Sequence, residues 1–260
     1  MDDRVFLPGL PTKLILAAYR DAPGNEIDSG KFANPESSAA LVANAFGLFL
    51  EKPSTLPPLP RTQDCGWPAL SIVLEALVRF PWSGGRHPCL DVLIVTASAL
   101  IGVESKRFEP FRPKAPGTMS EAYWRPVWGS RMVGYERCRD KLRDGDQVFD
   151  RLDAAQLIKH AFGLRTAVQP NAQWAGKKPV LFYLYAEPEN WPGDKRPVPL
   201  EYRLQHRAEV AAFTDMVGGD EVSFRSCSYT ELLATWAAQP DQLVRAHAVA
   251  VLNRFLSLPL

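Results

Sequence analysis

Two short apolar segments joined by a tight link constrain the fold of this chain most strongly. Residues 90–95 and 100–103 are nearly continuous apolar runs, and a short link containing Ala97 and Ser98 separates them. Runs of this kind are typical of interior strands that are covered on both faces. The sequence therefore predicts two buried strands that pair as a hairpin.

Charged residues stand at the ends of these two segments. Asp91 lies at the start of the first, while Glu104 and Lys106 follow the second. Because side chains alternate along a strand, Glu104 and Lys106 share a face, and the hairpin can bring Asp91 beside them. An exposed ion pair between Glu104 and Lys106, worth about 0 to 1 kcal/mol, is the alternative. Charges that end buried strands are costly unless they are paired or bind a metal ion, which favours a site.

The same three side chains suit the hydrolysis of a phosphodiester. Asp91 and Glu104 would supply the hard oxygen ligands that Mg²⁺ prefers, with Mn²⁺ as another possible metal. Positions would remain for water and for a phosphate oxygen of the substrate. Lys106 would orient a water molecule or neutralise developing charge.

The pattern of an Asp, a gap of about a dozen residues and Glu-x-Lys resembles the PD-(D/E)xK nuclease superfamily, which includes many restriction endonucleases. The closer resemblance is to bacterial restriction-endonuclease-like proteins, whose second strand ends in a similar Glu-Ser-Lys run followed by an aromatic residue and an acid. Residues 102–109 here read Gly-Val-Glu-Ser-Lys-Arg-Phe-Glu. One departure is that Leu90, rather than proline, precedes Asp91.

This resemblance implies an α/β fold with a restriction-endonuclease-like core of the order α-β-β-β-α-β. The core would be a central mixed sheet flanked by helices, followed by a C-terminal helical extension. The implied activity is metal-dependent endonucleolytic hydrolysis of DNA, with Asp91 and Glu104 as metal ligands and Lys106 as a catalytic residue. The alternative is a non-catalytic nucleic-acid-binding or structural member of the same fold. The intact Asp91, Glu104 and Lys106 argue against such a loss of activity.

Length and composition indicate one nuclease-like domain over residues 1–260, with its core at about 35–186 and an elaboration at about 187–260. The chain has 260 residues, of which 46% are hydrophobic and 23% are charged, as in ordinary globular proteins. A net charge of +1 carries no argument about nucleic acid. Residues 104–143, however, hold ten basic and five acidic side chains, which favours contact with a phosphate backbone. DNA is the expected partner, RNA stays open, and a homodimer is possible.

Cysteine spacing and hydropathy indicate a cytoplasmic protein. The four cysteines are widely spaced, without the paired spacing of zinc sites, and we expect reduced thiols. The acidic start of the chain argues against a signal peptide. No apolar run approaches the roughly 18 residues of a membrane span, so we expect no membrane partner.

Two acids are candidates for a third acidic residue of the site. Asn34 and Pro35 predict the N-cap and first position of a helix that extends to about residue 51, and Glu36 lies in its first turn. The helix dipole explains a first-turn acid equally well. A strand is predicted at about residues 71–80, and Glu75 lies on the face opposite to Ile72, Leu74, Ala76, Val78 and Phe80. Its alternative role is an ion pair with Arg79 or Lys106.

Downstream elements supply further candidates. An amphipathic helix is predicted at about residues 152–163, with Gln156 and Lys159 as neighbours on its surface. In the resembled superfamily, a polar Gln or Lys on this helix often supports the site or contacts DNA. The resemblance therefore implies such a role for Gln156 and Lys159, and Gln156 is a candidate catalytic residue. The aromatic residues of 123–128 are interleaved with arginine and would either stack on bases or pack in the core. A strand at about 180–186 and helices at about 201–216 and 241–256 follow.

Overall fold

The computed structural model describes residues 5–23, 26–85, 87–113, 117, 119–193 and 195–256. Its centre is a five-stranded sheet with the strand order β1-β2-β3-β4-β5. The strands β1 to β5 comprise Ala69–Leu77, Cys89–Thr96, Ala99–Lys106, Lys178–Tyr185 and Ser223–Ser228. β1, β2 and β3 run antiparallel, whereas β4 and β5 join the sheet in parallel. The sheet is therefore mixed.

Helices cover both faces of the sheet. One face carries α1 (Thr12–Asp21), α2 (Ser38–Gly47), α6 (Tyr229–Ala237) and α7 (Gln242–Val251). The other face carries α3 (Val133–Asp144), α4 (Ala154–Ala167) and α5 (Leu200–Val217). This arrangement confirms the predicted α/β class with a mixed sheet between helices.

Each face of the sheet has its own apolar core. The first core contains Phe46, Val103 and Trp236, and the second contains Leu100 and Phe162, all of them buried completely. Burial of one such side chain stabilises a fold by about 1.5 to 3 kcal/mol. β3 contributes to both cores, so the strand that carries Glu104 and Lys106 is fixed from both sides.

The helix before β1 begins later than the sequence predicts. Ser37 is its N-cap, because the Ser37 hydroxyl accepts a hydrogen bond from Ala40 N at 3.0 Å. Asn34 instead accepts a bond from Glu36 N at 2.9 Å and thereby closes a turn ahead of the helix. Asparagine stabilises turns and helix N-caps through the same kind of side-chain bond, which explains the error. The helices α1 and α6 were not predicted.

The predicted alternation along β1 is wrong at one residue. Ile72 and Leu74 contact the first core, but Ala76 and Val78 contact the second. The change occurs at Glu75, whose φ of 51° lies in the left-handed region. Such a residue turns the following side chains to the other face, at a cost of about 1 to 2 kcal/mol for a non-glycine residue. β1 accordingly ends at Leu77 rather than near residue 80.

All four cysteines are free thiols, as the sequence predicts. Across the ranges that the structure describes, no helix combines the length and the apolar character that crossing a membrane requires.

Candidate active site

The hairpin of β2 and β3 brings the three predicted charges to one end of the sheet. Val92 pairs with Val103, so the next residues outward, Asp91 and Glu104, stand side by side. Asp91 Oδ2 accepts a hydrogen bond from Ser105 N at 2.6 Å. Asp91, Glu104 and Lys106 line one cleft of about 530 Å³.

Glu104 is the most buried charge of the cleft. Its side chain is 2% exposed, and Lys106 Nζ lies 2.5 Å from Glu104 Oε1. Burial by itself would raise the pKa of Glu104, but the positive charge of Lys106 and the contact with His160 outweigh it and lower the pKa. Burial disfavours the charged form of Lys106, yet Glu104, Glu109 and Asp91 together raise its pKa. The two groups therefore form a charged pair.

Two further carboxyl groups of the cleft resist ionisation. Burial and the negative charge of Glu104 raise the pKa of Asp91 well above its ordinary value. Burial raises the pKa of Glu75 to about 7, against the opposing effect of a contact between Cys89 Sγ and Glu75 Oε2 at 3.6 Å. Leu74 pairs with Val92 and Ala76 with Leu90, so Glu75 stands across from Asp91 in the sheet. The geometry thus gathers the carboxyl groups of Glu75, Asp91 and Glu104, and the charge of Glu104 favours the protonated form of Asp91.

The second carboxylate oxygen of Glu104 contacts His160. His160 Nδ1 lies 3.1 Å from Glu104 Oε2, close enough for an ion pair. The geometry of this contact is poor for a hydrogen bond, so His160 satisfies the buried oxygen incompletely. A bound cation would stabilise a buried carboxylate oxygen that is incompletely satisfied.

The donor set around Asp91 and Glu104 fits a hard divalent cation that keeps several waters. Mg²⁺ is commonly held by one or two carboxylates together with water and phosphate oxygens. Within the described ranges, no group of three or more Asp, Glu, His or Cys side chains is arranged as a metal site. A cation held here would therefore depend on two carboxylates and would keep open positions.

The charge of the cleft supports the same assignment. Six acidic side chains line it, namely Glu26, Glu36, Glu75, Asp91, Glu104 and Glu109. The described basic side chains that line it are Lys31, Lys106 and Arg112. An acidic cleft repels a phosphodiester unless a cation offsets its charge.

Glu109 and Glu36 stabilise segments that line the cleft. Glu109 accepts hydrogen bonds from Arg107 N at 2.7 Å and from the Ser38 hydroxyl at 2.5 Å, which fixes the turn after β3 against α2. Glu36 forms an ion pair with Arg112. The structural role of Glu109 was not predicted, although the Glu-Ser-Lys motif extends to this residue.

Comparison with known families gives a match over most of the chain. A family model described as a restriction endonuclease associating with ARP matches residues 16–253. The chain belongs to this restriction-endonuclease-like family, REase-ARP. It matches no curated protein and no solved structure. The REase-ARP match runs from α1 to beyond α7, so it includes the helices after β4 that the resemblance placed outside the core.

Of the polar candidates on α4, the structure places Gln156 in the cleft of this REase-ARP chain. Lys159 does not line the cleft, and its Nζ lies 5.8 Å from the centre of the Tyr123 ring. His160, four residues after Gln156 on α4, contacts Glu104 and was not predicted as a site residue. The spacing of four residues puts both side chains on one face of the helix, which is the signal that was available.

The basic stretch of residues 104–143 does not form one surface. Arg107 is buried, and its guanidinium donates to the carbonyl oxygens of Pro35 and Phe255. Arg139 is buried as well and donates to Tyr123 O at 2.7 Å. Lys114 lies outside the described residues. Among those described, only Lys106 and Arg112 of the stretch line the cleft, so most of the stretch lies away from the site where it was expected to contact a phosphate backbone.

The aromatic residues of 123–128 serve mainly as packing residues. Tyr123 and Trp128 are buried, and Trp128 stacks on Phe162 with ring centres 4.1 Å apart. Trp124 is half-buried, and the guanidinium of Arg143 lies 4.6 Å from its ring centre. Tyr123 and Trp128 therefore belong to the second core.

Proposed function

We propose that the protein is a divalent-metal-dependent nuclease that hydrolyses phosphodiester bonds in DNA. The observation that carries this proposal is the convergence of Asp91, Glu104 and Lys106 at the ends of β2 and β3 in one acidic cleft. Membership of a restriction-endonuclease-like family supports the reaction class and supports DNA as the substrate.

The order of elements supports a restriction-endonuclease-like core. α2, β1, β2, β3, α4 and β4 follow one another along the chain in the order α-β-β-β-α-β, with α3 inserted before α4. On this interpretation β5 and the helices after β4 extend the core.

Asp91 and Glu104 would hold the cation, Mg²⁺ or Mn²⁺, through carboxylate oxygens. Such an ion supplies a lowered water pKa and offsets negative charge on phosphate oxygens. Glu104 Oε1 keeps Lys106 in place, and Glu104 Oε2, which lies 3.1 Å from His160 Nδ1, is the incompletely satisfied oxygen that would bind the cation. Lys106 lines the same cleft, where its charge would stabilise the developing negative charge of the transition state.

Glu75 is the third acidic residue in this proposal, and Glu36 is not. Glu75 stands across from Asp91 and adopts a left-handed backbone conformation, a strain that tends to occur at functional sites. Glu36 is neutralised by its ion pair with Arg112 at the mouth of the cleft. Gln156 reaches the same cleft from α4 and would contact the substrate or the attacking water.

The free thiols accord with a reducing compartment, and we propose a cytoplasmic location.

The direct test of the function is incubation of the purified protein with plasmid DNA and Mg²⁺, resolved on a gel. We expect nicked or linear DNA with Mg²⁺ or Mn²⁺ and intact DNA with EDTA. Intact plasmid in every metal, at protein concentrations that bind DNA, would favour a non-catalytic nucleic-acid-binding protein instead.

A further inference from the structure

We infer that Tyr229 is a positioning residue of the active site, acting through Ser105 on Asp91. This inference rests on the proposed nuclease function and deepens it. It assigns a role at the site to α6, a helix that was not predicted from the sequence. α6 lies more than 120 residues beyond the hairpin of β2 and β3 along the chain.

The link begins with two buried hydroxyl groups. Tyr229 is the first residue of α6 and is completely buried, and its hydroxyl lies 2.7 Å from Ser105 Oγ. Ser105 lies between Glu104 and Lys106 on β3. Because side chains alternate along a strand, Ser105 Oγ projects away from Glu104 and Lys106 and into the core beneath α6.

The backbone of Ser105 completes the link. Ser105 N donates to Asp91 Oδ2 at 2.6 Å, so a direct hydrogen bond connects the serine backbone to the proposed metal ligand. The described pairing of β2 with β3 stops at Val92 and Val103. Beyond that point the Asp91 carboxylate takes the place of a backbone acceptor on β2. The position of the Ser105 amide therefore determines where Asp91 Oδ2 lies, and through it the direction of the other carboxylate oxygen.

The hydroxyl groups of Tyr229 and Ser105 form a polar contact in a buried place, and stability alone does not explain it. Val103, Leu184 and Leu232 belong to the same buried core as Tyr229, and the buried Arg107 lies close to it. Phenylalanine and alanine would fill the same space without polar atoms to satisfy, and a buried polar pair adds only about 1 kcal/mol of net stability. The pair does, however, connect α6 to β3 at the residue that lies between Glu104 and Lys106. Groups behind metal ligands change metal affinity by about 10- to 100-fold when they are removed.

The test is calorimetric titration of Mn²⁺ into the metal-free full chain, compared with thermal melts in EDTA. Tyr229→Phe and Ser105→Ala each remove one hydroxyl of the contact. We expect each to weaken Mn²⁺ binding by about tenfold or more, and the double variant to bind no more weakly than either single variant. In the DNA cleavage assay, kcat should fall more than KM rises.

Thr96→Val is the matched control, because it removes a buried hydroxyl from the other end of β2. Thr96 is completely buried and accepts a bond from Ala99 N at 2.9 Å. Its loss should lower the melting temperature and leave Mn²⁺ affinity unchanged. If Tyr229→Phe behaves like this control, with a lower melting temperature and parental Mn²⁺ affinity, the inference is overturned while the nuclease proposal stands. Absence of Mn²⁺ binding by the parent protein would overturn both.

Discussion

Lys106 Nζ lies 2.5 Å from Glu104 Oε1, and both side chains belong to the same face of β3. Another lysine–carboxylate pair of the sheet lies at its opposite end, where Lys178 Nζ is 2.6 Å from Asp64 Oδ2. The first pair faces the cleft and is nearly buried, whereas the second is exposed. The two pairs thus allow a proposed catalytic lysine to be compared with a surface lysine in the same protein.

Replacement of Lys106 by glutamine should lower the single-turnover rate of DNA cleavage by about 100-fold or more. This is the scale for loss of one donor that stabilises the transition state. Affinity for DNA, measured with Ca²⁺ in place of Mg²⁺, should change much less. Lys178→Gln should leave both quantities near the parental values. Equal losses of rate and affinity in Lys106→Gln would make Lys106 a phosphate anchor rather than a catalytic residue.

The raised pKa of Glu75 predicts a pH-dependent stability in metal-free protein. Glu75 ionises near pH 4.5 in the unfolded chain and at about 7 in the folded protein, chiefly because of burial. Between these values the folded state binds the proton more tightly, so this contribution to stability falls as the pH rises from about 4.5 through 7. Glu75→Gln should therefore stabilise the protein more at pH 8 than at pH 4.5, by up to about 3 kcal/mol.

Urea unfolding of Glu75→Gln and parent in EDTA, at pH 4.5 and pH 8, measures this difference. The same change in unfolding free energy at both pH values would show that the Glu75 carboxyl titrates as it does in water. If Glu75 is also the third acid of the site, cleavage by Glu75→Gln should fall, whereas Glu36→Gln should cleave nearly as the parent does.

The lining of the cleft predicts which basic side chains contact the DNA backbone. Lys31 and Arg112 line it and are exposed, whereas the α3 side chains Arg137 and Lys141 are exposed but lie outside its lining. Neutralising Lys31 and Arg112 together should flatten the dependence of DNA affinity on salt by up to about two units of slope, one for each phosphate that no longer meets a cation.

The matched control neutralises Arg137 and Lys141 together, and its slope should equal that of the parent protein. Affinities are measured in Ca²⁺ over a series of salt concentrations. A flattened slope in the α3 variant and an unchanged slope in the cleft variant would move the DNA path to α3.

The hairpin could be predicted from the sequence because its signal is local. Two apolar runs, a short link and three charges at their ends lie within residues 90–106, and strand alternation is enough to relate Glu104 to Lys106. The mixed sheet between helices followed from the same pattern together with the resemblance to restriction-endonuclease-like proteins.

The rest of the site depends on contacts between residues far apart in the chain. Tyr229 lies 124 residues from its partner Ser105, and no spacing in the sequence connects them. The turn of β1 at Glu75 was missed because alternating apolar residues continue through it, while the backbone conformation changes their face. Arg107 and Arg139 belong to the basic stretch that was expected to contact a phosphate backbone, but both are buried and donate to backbone carbonyl groups.

The central claim is that Asp91 is a metal ligand of a DNA-cleaving site, and one time course tests it most directly. Parent, Asp91→Asn and the control Asp64→Asn are incubated with an end-labelled DNA duplex in Mg²⁺ under single-turnover conditions. Asp64 is an exposed aspartate remote from the cleft, paired with Arg225 and Lys178. The account predicts equal cleavage by the parent and Asp64→Asn and no detectable cleavage by Asp91→Asn, all three proteins being folded. Cleavage by Asp91→Asn at the parental rate would contradict it.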